Sequence, residues 1–277
     1  MSEKEKLALS EQAYPKVYLL PNLMTAGNLF CGFMAILQIF EGTILRRAEV
    51  DGWILHYQYS LFFILGAFLF DMLDGRVARQ GGQESPFGKQ FDSLADLISF
   101  GAAPALMVFK IVLFEMPNRI GWFIAFIYLV CGALRLARFN VMTSQESKEP
   151  KNDNFTGIPI PAAAGIIASI TLLILHIYSE DGAIGNWKYL LGILLLVLSY
   201  LMMSRVQYPS FKSIHWRTRR PVSHLFFIVL LASLLLLNYR YGLAFIFTAY
   251  MLSGPLMPVY EKYKKKHLAA KRENPDK

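Results

Sequence analysis

Charge is what this sequence has least of. Only 17% of its 277 residues are Asp, Glu, Lys or Arg, while 55% are hydrophobic, including 21 Phe and 14 Tyr. Soluble domains carry about a quarter charged residues, so an ordinary soluble domain is the first class excluded. Cysteine is nearly absent too. Cys31 and Cys131 both fall in apolar runs, which suits reduced packing residues and leaves no disulfide framework or zinc knuckle. The five histidines, at 56, 176, 215, 224 and 267, show no ligand spacing such as HxxxH. No GxxxxGK(S/T) loop is present, so no ATP site of that type is expected. Residues 1–17 set Lys4, Lys6 and Lys16 against Glu3, Glu5 and Glu11 without an apolar core. No cleavable signal peptide is therefore expected, and the first span serves as its own insertion signal.

What is present is a series of apolar runs near the ~20 residues that cross a bilayer. They predict an all-α, polytopic membrane bundle of about eight helices, roughly 21–40, 56–74, 88–109, 119–140, 158–178, 186–204, 221–238 and 242–260. Residues 1–20 form a leading segment, 21–260 one transmembrane domain and 261–277 a basic tail. With the N-terminus inside, 22 of the 28 Lys and Arg fall on the cytoplasmic side. Only Arg46, Arg47, Lys110, Arg119, Lys188 and Arg240 lie outside. That bias places both termini in the cytoplasm. It also accounts for the net charge of +8 without a nucleic-acid partner. The tail that begins at Lys262 could hold anionic headgroups or serve only as a topological anchor.

Acids are concentrated in one place. Asp71 and Asp74 end the second span, and Asp92 and Asp96 begin the third. An Asp at mid-helix costs about 2.5–3.5 kcal/mol on insertion scales, and less near the interface. Spacings of i,i+3 and i,i+4 project each pair from one helix face. The two spans are consecutive, joined by a dozen or so residues, which predicts antiparallel neighbours with all four carboxylates at the cytoplasmic end. Their repulsion has three remedies: protonation of some, pairing with Arg76 and Arg79, or hard divalent cations. Gly75 and Gly88 would let a phosphate or nucleoside approach the backbone. A salt-bridged helix tie explains neither the glycines nor the excess of acids.

The spacing D-x2-D-G-x2-A-R-x8-G-x3-D-x3-D, carried by Asp71, Asp74, Gly75, Ala78, Arg79, Gly88, Asp92 and Asp96, resembles the signature of the CDP-alcohol phosphotransferases. The resemblance implies a CDP-linked donor, an alcohol acceptor, a new phosphodiester and release of CMP. It implies two divalent cations, Mg²⁺ or Mn²⁺, held by Asp71, Asp74, Asp92 and Asp96, with Asp96 also taking the proton of the attacking hydroxyl. Asn22, Thr25, Asp71, Gly75, Ala78, Arg79 and Gly88 would bind the CDP moiety. The family also implies a homodimer. With no targeting signal read, a prokaryotic inner membrane is the expected location.

Three further segments resemble the serine-accepting branch of that family. They are Pro21 to Phe33, Phe155 to Gly165, and Tyr208-Pro209-Ser210-Phe211-Lys212. The resemblance runs from about residue 18 to 215 and implies CDP-diacylglycerol and L-serine as substrates. Each segment also has a plain packing explanation: Pro21 and Pro159 suit helix starts, and small residues 162–165 suit close helix contact. A serine site needs a cation for the carboxylate, and Arg135, Arg138, Asn140, Ser210 and Lys212 lie on the correct side. Arg135 and Arg138 could instead hold lipid phosphate. Glycerol 3-phosphate, inositol phosphate or choline remain alternative acceptors. A divalent-cation transporter would place acids nearer the midplane, in both halves; here only Glu180 and Asp181 are acidic between residues 160 and 260.

Overall fold

Long apolar segments must satisfy their own backbone N–H and C=O groups in a bilayer, and helices do so internally. The computed structural model describes residues 19–81, 85–116, 120–145, 155–181, 187–208 and 238–273. In chain order the helices are α1 (Leu19–Arg47), α2 (Trp53–Gly81), α3 (Pro86–Asp96), α4 (Ala103–Ile111), α5 (Ile120–Gln145), α6 (Ile160–Asp181), α7 (Trp187–Met203) and α8 (Tyr239–Glu273). A π-helical stretch, Leu97–Ala102, joins α3 directly to α4, with helical dihedrals at both flanking residues, Asp96 and Ala103. Among the described residues, five helical segments are long and apolar enough to cross a membrane: Leu19–Arg47, Trp53–Gly75, Pro86–Ile111, Ile120–Met142 and Ile160–Ser179. Tyr189–Met203 is a shorter apolar helix. The expected span 221–238 lies outside the described residues except for its last position, and the expected span 242–260 falls within α8.

Two departures from expectation matter for the site. First, α2 does not stop at Asp74 but continues to Gly81, leaving only residues 82–85 before α3. Arg76, Arg79 and Gln80, good helix formers, end the apolar run without ending the helix. Second, the expected third span is three pieces: α3, the π-helical stretch and α4. The start of α3 is fixed by Ser85, whose Oγ accepts from the Gly88 N–H at 3.0 Å, and by Pro86 in the first turn. That pairing follows the usual N-cap and N1 preferences.

Helix α1 packs along α2 and also reaches α3, α4 and the π-helical stretch. The most enclosed span is Ile160–Ser179 of α6, which contacts α2, α7 and α8. At one end of the bundle a two-residue antiparallel pairing, β1 (Phe155–Thr156) with β2 (Gln207–Tyr208), ties the start of α6 to the end of α7. Gly157 follows β1 with φ +79°, and its N–H donates to Val206 O at 2.8 Å. Glycine adopts that conformation without the Cβ penalty. Tyr208 is buried, and its hydroxyl donates to Met251 O of α8 at 3.3 Å.

Candidate active site

The four acids are positioned by three helices rather than two. Asp71 and Asp74 lie on α2; Asp92 and Asp96 lie on α3. Ligand oxygens of Asp71, Asp74 and Asp92 fall within 4.8 Å of one another. Asp96 lies outside that group and is buried. The frame for both pairs is α1. Thr25 Oγ1 lies 3.1 Å from Asp74 Oδ2 and 3.2 Å from Pro21 O, and donates to the carboxylate or to its own helix. One turn on, Asn28 Nδ2 donates to Asp96 Oδ1 at 2.9 Å. Ser99, in the π-helical stretch, donates from Oγ to Asn28 O at 2.9 Å. π-helical insertions occur frequently at functional sites. Here it begins at Leu97, immediately after Asp96, and presents Ser99 to α1.

Buried polar atoms without a hydrogen-bond partner are costly, so their distribution is informative. Among the described residues, five side-chain atoms are of this kind: Asn22 Nδ2, Asn28 Oδ1, Asp92 Oδ1, Arg135 Nε and Thr171 Oγ1. Four of the five belong to residues at or beside the carboxylates. Asn22 stands against Gly88, where an added Cβ would come 3.3 Å from Asn22 Oδ1 and 3.2 Å from Ser85 Oγ. Arg135 lies within electrostatic reach of Asp96 and Asp71. The chemistry of this set, three converging carboxylates with a buried unpartnered oxygen on Asp92, fits hard divalent cations.

The remaining predicted residues divide clearly. Arg138 is exposed. Asn140 donates from Nδ2 to Ser93 Oγ at 2.9 Å, and Lys89 Nζ donates to Asn140 O at 3.4 Å, so Asn140 docks α5 onto α3. Of Ala78 and Arg79 only the backbone, in the last turns of α2, is described. Ser210 and Lys212 lie outside the described residues. Sequence reasoning passed over Asn28 as a partner of Asp96. Its signal was an amide on an apolar helix, three residues after Thr25 on the same face.

A helical membrane protein with clustered carboxylates framed by α1, α2 and α3 is the class this fold and site define. The model of the CDP-alcohol phosphatidyltransferase family matches residues 18–254, and the chain belongs to that family. It is 36% identical over 216 residues to a CDP-diacylglycerol–serine O-phosphatidyltransferase of Helicobacter pylori, covering 77% of this chain and 81% of that one. It is 33% identical over 193 residues to the Bacillus subtilis protein of the same name, covering 70% and 91%. It is 35% identical over 193 residues to an archaetidylserine synthase of Methanothermobacter thermautotrophicus, covering 69% of each.

Proposed function

We propose that this chain transfers the phosphatidyl group of CDP-diacylglycerol to the hydroxyl of L-serine, forming phosphatidylserine and releasing CMP. The observation that carries the reading is the gathering of Asp71, Asp74 and Asp92, with unpartnered polar atoms of Asn22, Asp92 and Arg135 around them. The names of the relatives favour serine as the acceptor. Two divalent cations, Mg²⁺ or Mn²⁺, when bound by Asp71, Asp74, Asp92 and Asp96, would neutralise charge on the entering and leaving oxygens.

The chain's own groups supply the rest. Asp96 takes the proton from the serine hydroxyl as its oxygen bonds to phosphorus and the bond to the CMP oxygen breaks. Asn28 holds one oxygen of Asp96 and leaves the other to accept that proton. Asn22, beside Gly88, offers its free amide N–H to the CDP moiety, next to Thr25, Gly75, Ala78 and Arg79. Arg135, whose Nε is buried without a partner, offers a cation to the serine carboxylate, with Arg138, Ser210 and Lys212 as further donors; lipid phosphate is the other ligand this group would suit. The proposal includes the homodimer that the family resemblance implies. It also includes about eight spans, cytoplasmic termini, and a site on the cytoplasmic face of a prokaryotic inner membrane.

The test is incorporation of labelled serine into chloroform-soluble lipid by the purified protein, with CDP-diacylglycerol and Mg²⁺ or Mn²⁺. Product is expected from the parent and lost with chelator or in Asp96→Asn. CMP release only with glycerol 3-phosphate, inositol phosphate or choline would keep the family and overturn serine. Absence of CMP release with every alcohol would overturn the enzyme reading.

A further inference from the structure

The opposite end of the bundle carries a second constellation that the transfer reaction does not use. Thr25 and Arg47 are separated on α1 by about 33 Å of helix at 1.5 Å per residue. That length matches the ~30 Å hydrocarbon core, so Arg47 lies at the other interface from the carboxylates. There the ends of α1 and α4 meet. Arg46 donates from Nη1 to Ile111 O at 3.0 Å, satisfying a carbonyl at the C-terminus of α4. Its guanidinium also lies 5.2 Å from the Trp53 ring centroid.

Two other cations converge beside it. The Arg47 guanidinium is 5.3 Å from the Phe114 ring centroid and Lys110 Nζ is 5.8 Å from the same centroid. Lys110 Nζ is also 6.0 Å from Phe40 and 5.8 Å from Phe109. Phe114 is 55% exposed and Phe40 47% exposed, so the rings form an open apolar floor with charge above it. Glu49 and Asp51 follow α1 in the chain, yet among the described residues no ion pair joins them to Arg47 or Lys110. Aromatic rings and snorkelling Lys and Arg are the side chains that settle at headgroup level.

The positive-inside bias makes the gathering harder to explain as topology. Only six Lys and Arg fall on this side of the chain as read from sequence, and three of them, Arg46, Arg47 and Lys110, meet at this one place. A bias that removes cations from this face would not collect the remainder over exposed rings. Arg46 is engaged by a backbone carbonyl; among the described residues no hydrogen bond or ion pair takes up the N–H donors of Arg47 or Lys110. An anionic phospholipid has the complementary form, with a phosphate for the two cations and acyl chains for Phe40 and Phe114.

We propose that Arg47 and Lys110, over Phe40 and Phe114, bind the phosphate of an anionic phospholipid in the leaflet opposite the carboxylate site. This site is independent of the acceptor used in the transfer reaction. Trp53 is a built-in reporter, since it contacts Arg46 at the same end. The experiment uses full-length protein in vesicles with Trp122, Trp187 and Trp216 replaced by Phe, leaving Trp53. Its fluorescence is quenched with headgroup-region spin-labelled phosphatidylglycerol or phosphatidylcholine at matched mole fraction.

Half-quenching is expected at an at least about fivefold lower fraction of phosphatidylglycerol, because each basic residue near the surface strengthens anionic-lipid attraction. The preference is expected to vanish in Arg47→Ala with Lys110→Ala. Should that pair fail to fold, Arg47→Gln with Lys110→Gln keeps the side-chain length and decides the point. Equal quenching by the two lipids in the parent, or a preference that survives neutralisation of both cations, overturns the site.

Discussion

At the scale of single residues, α1 holds the carboxylates with two short polar side chains that differ in what they control. Thr25 lies within hydrogen-bond distance of Asp74, one of the three acids whose oxygens converge. Replacing it with Val keeps the shape and removes the donor. Partners that orient metal ligands typically change metal affinity 10–100-fold. Thr25→Val is therefore expected to raise the Mg²⁺ or Mn²⁺ concentration for half-maximal activity by about that factor, with the serine KM unchanged. Asn28 bonds Asp96, which lies outside the converging group. Asn28→Ala is expected to lower kcat by about 10²-fold, the lower end of what a positioned acid or base contributes, with a smaller shift in metal dependence than Thr25→Val. A metal titration of both variants checks the division. Identical shifts in the two would show that the α1 side chains act only through packing.

At the scale of elements, the contact between α1 and the π-helical stretch is the joint on which the site depends. A Cβ on Gly32 would come 2.7 Å from Ser99 Cα, a backbone atom that cannot swing aside. Gly32→Ala must push α1 away from Ser99, and with it Asn28 away from Asp96. Overpacking of this kind costs typically 1–3 kcal/mol. A lower unfolding temperature together with a loss of kcat larger than that of Ser99→Ala is expected. Thermal unfolding in detergent, read beside CMP release, measures both. Normal stability and normal activity in Gly32→Ala would show that the joint carries no strain.

Much of this joint was not legible in the sequence, and the reason is physical. The carboxylates were legible because acids are costly in apolar helices and their spacing fixes a shared face. Asp71 and Asp74 do converge with Asp92. The π-helical stretch was not, because Leu97–Ala102 contains no residue that marks a change from i→i−4 to i→i−5 bonding. The continuation of α2 to Gly81 was hidden because hydropathy reports the end of the membrane, not of the helix. Asn140 suited an acceptor site by side-chain chemistry, but which neighbour an amide meets depends on tertiary packing, and it meets Ser93.

At the scale of the whole molecule, the charge distribution argues for the proposed direction of the bundle. The site end carries Lys89 and Arg135, and 22 of 28 Lys and Arg fall on that side of the chain as read from sequence. Charge bias of this size sets orientation, so the carboxylates should face the cytoplasm. A nucleotide does not cross a bilayer unaided, so a site that takes a CDP-linked lipid needs the face where that headgroup is made. Single cysteines decide the direction in a background with Cys31→Ser and Cys131→Ser. Asp51→Cys, in the exposed turn between α1 and α2, is expected to react with a membrane-impermeant maleimide on intact cells. Lys271→Cys, near the end of α8, is expected to react only after permeabilisation. The reverse pattern would put the carboxylates outside and remove the physical basis for a cytoplasmic nucleotide-linked donor. Labelling of both on intact cells would mean that the number of spans between them is even, and would place α8 and α2 in a different relation to the membrane than the one argued here.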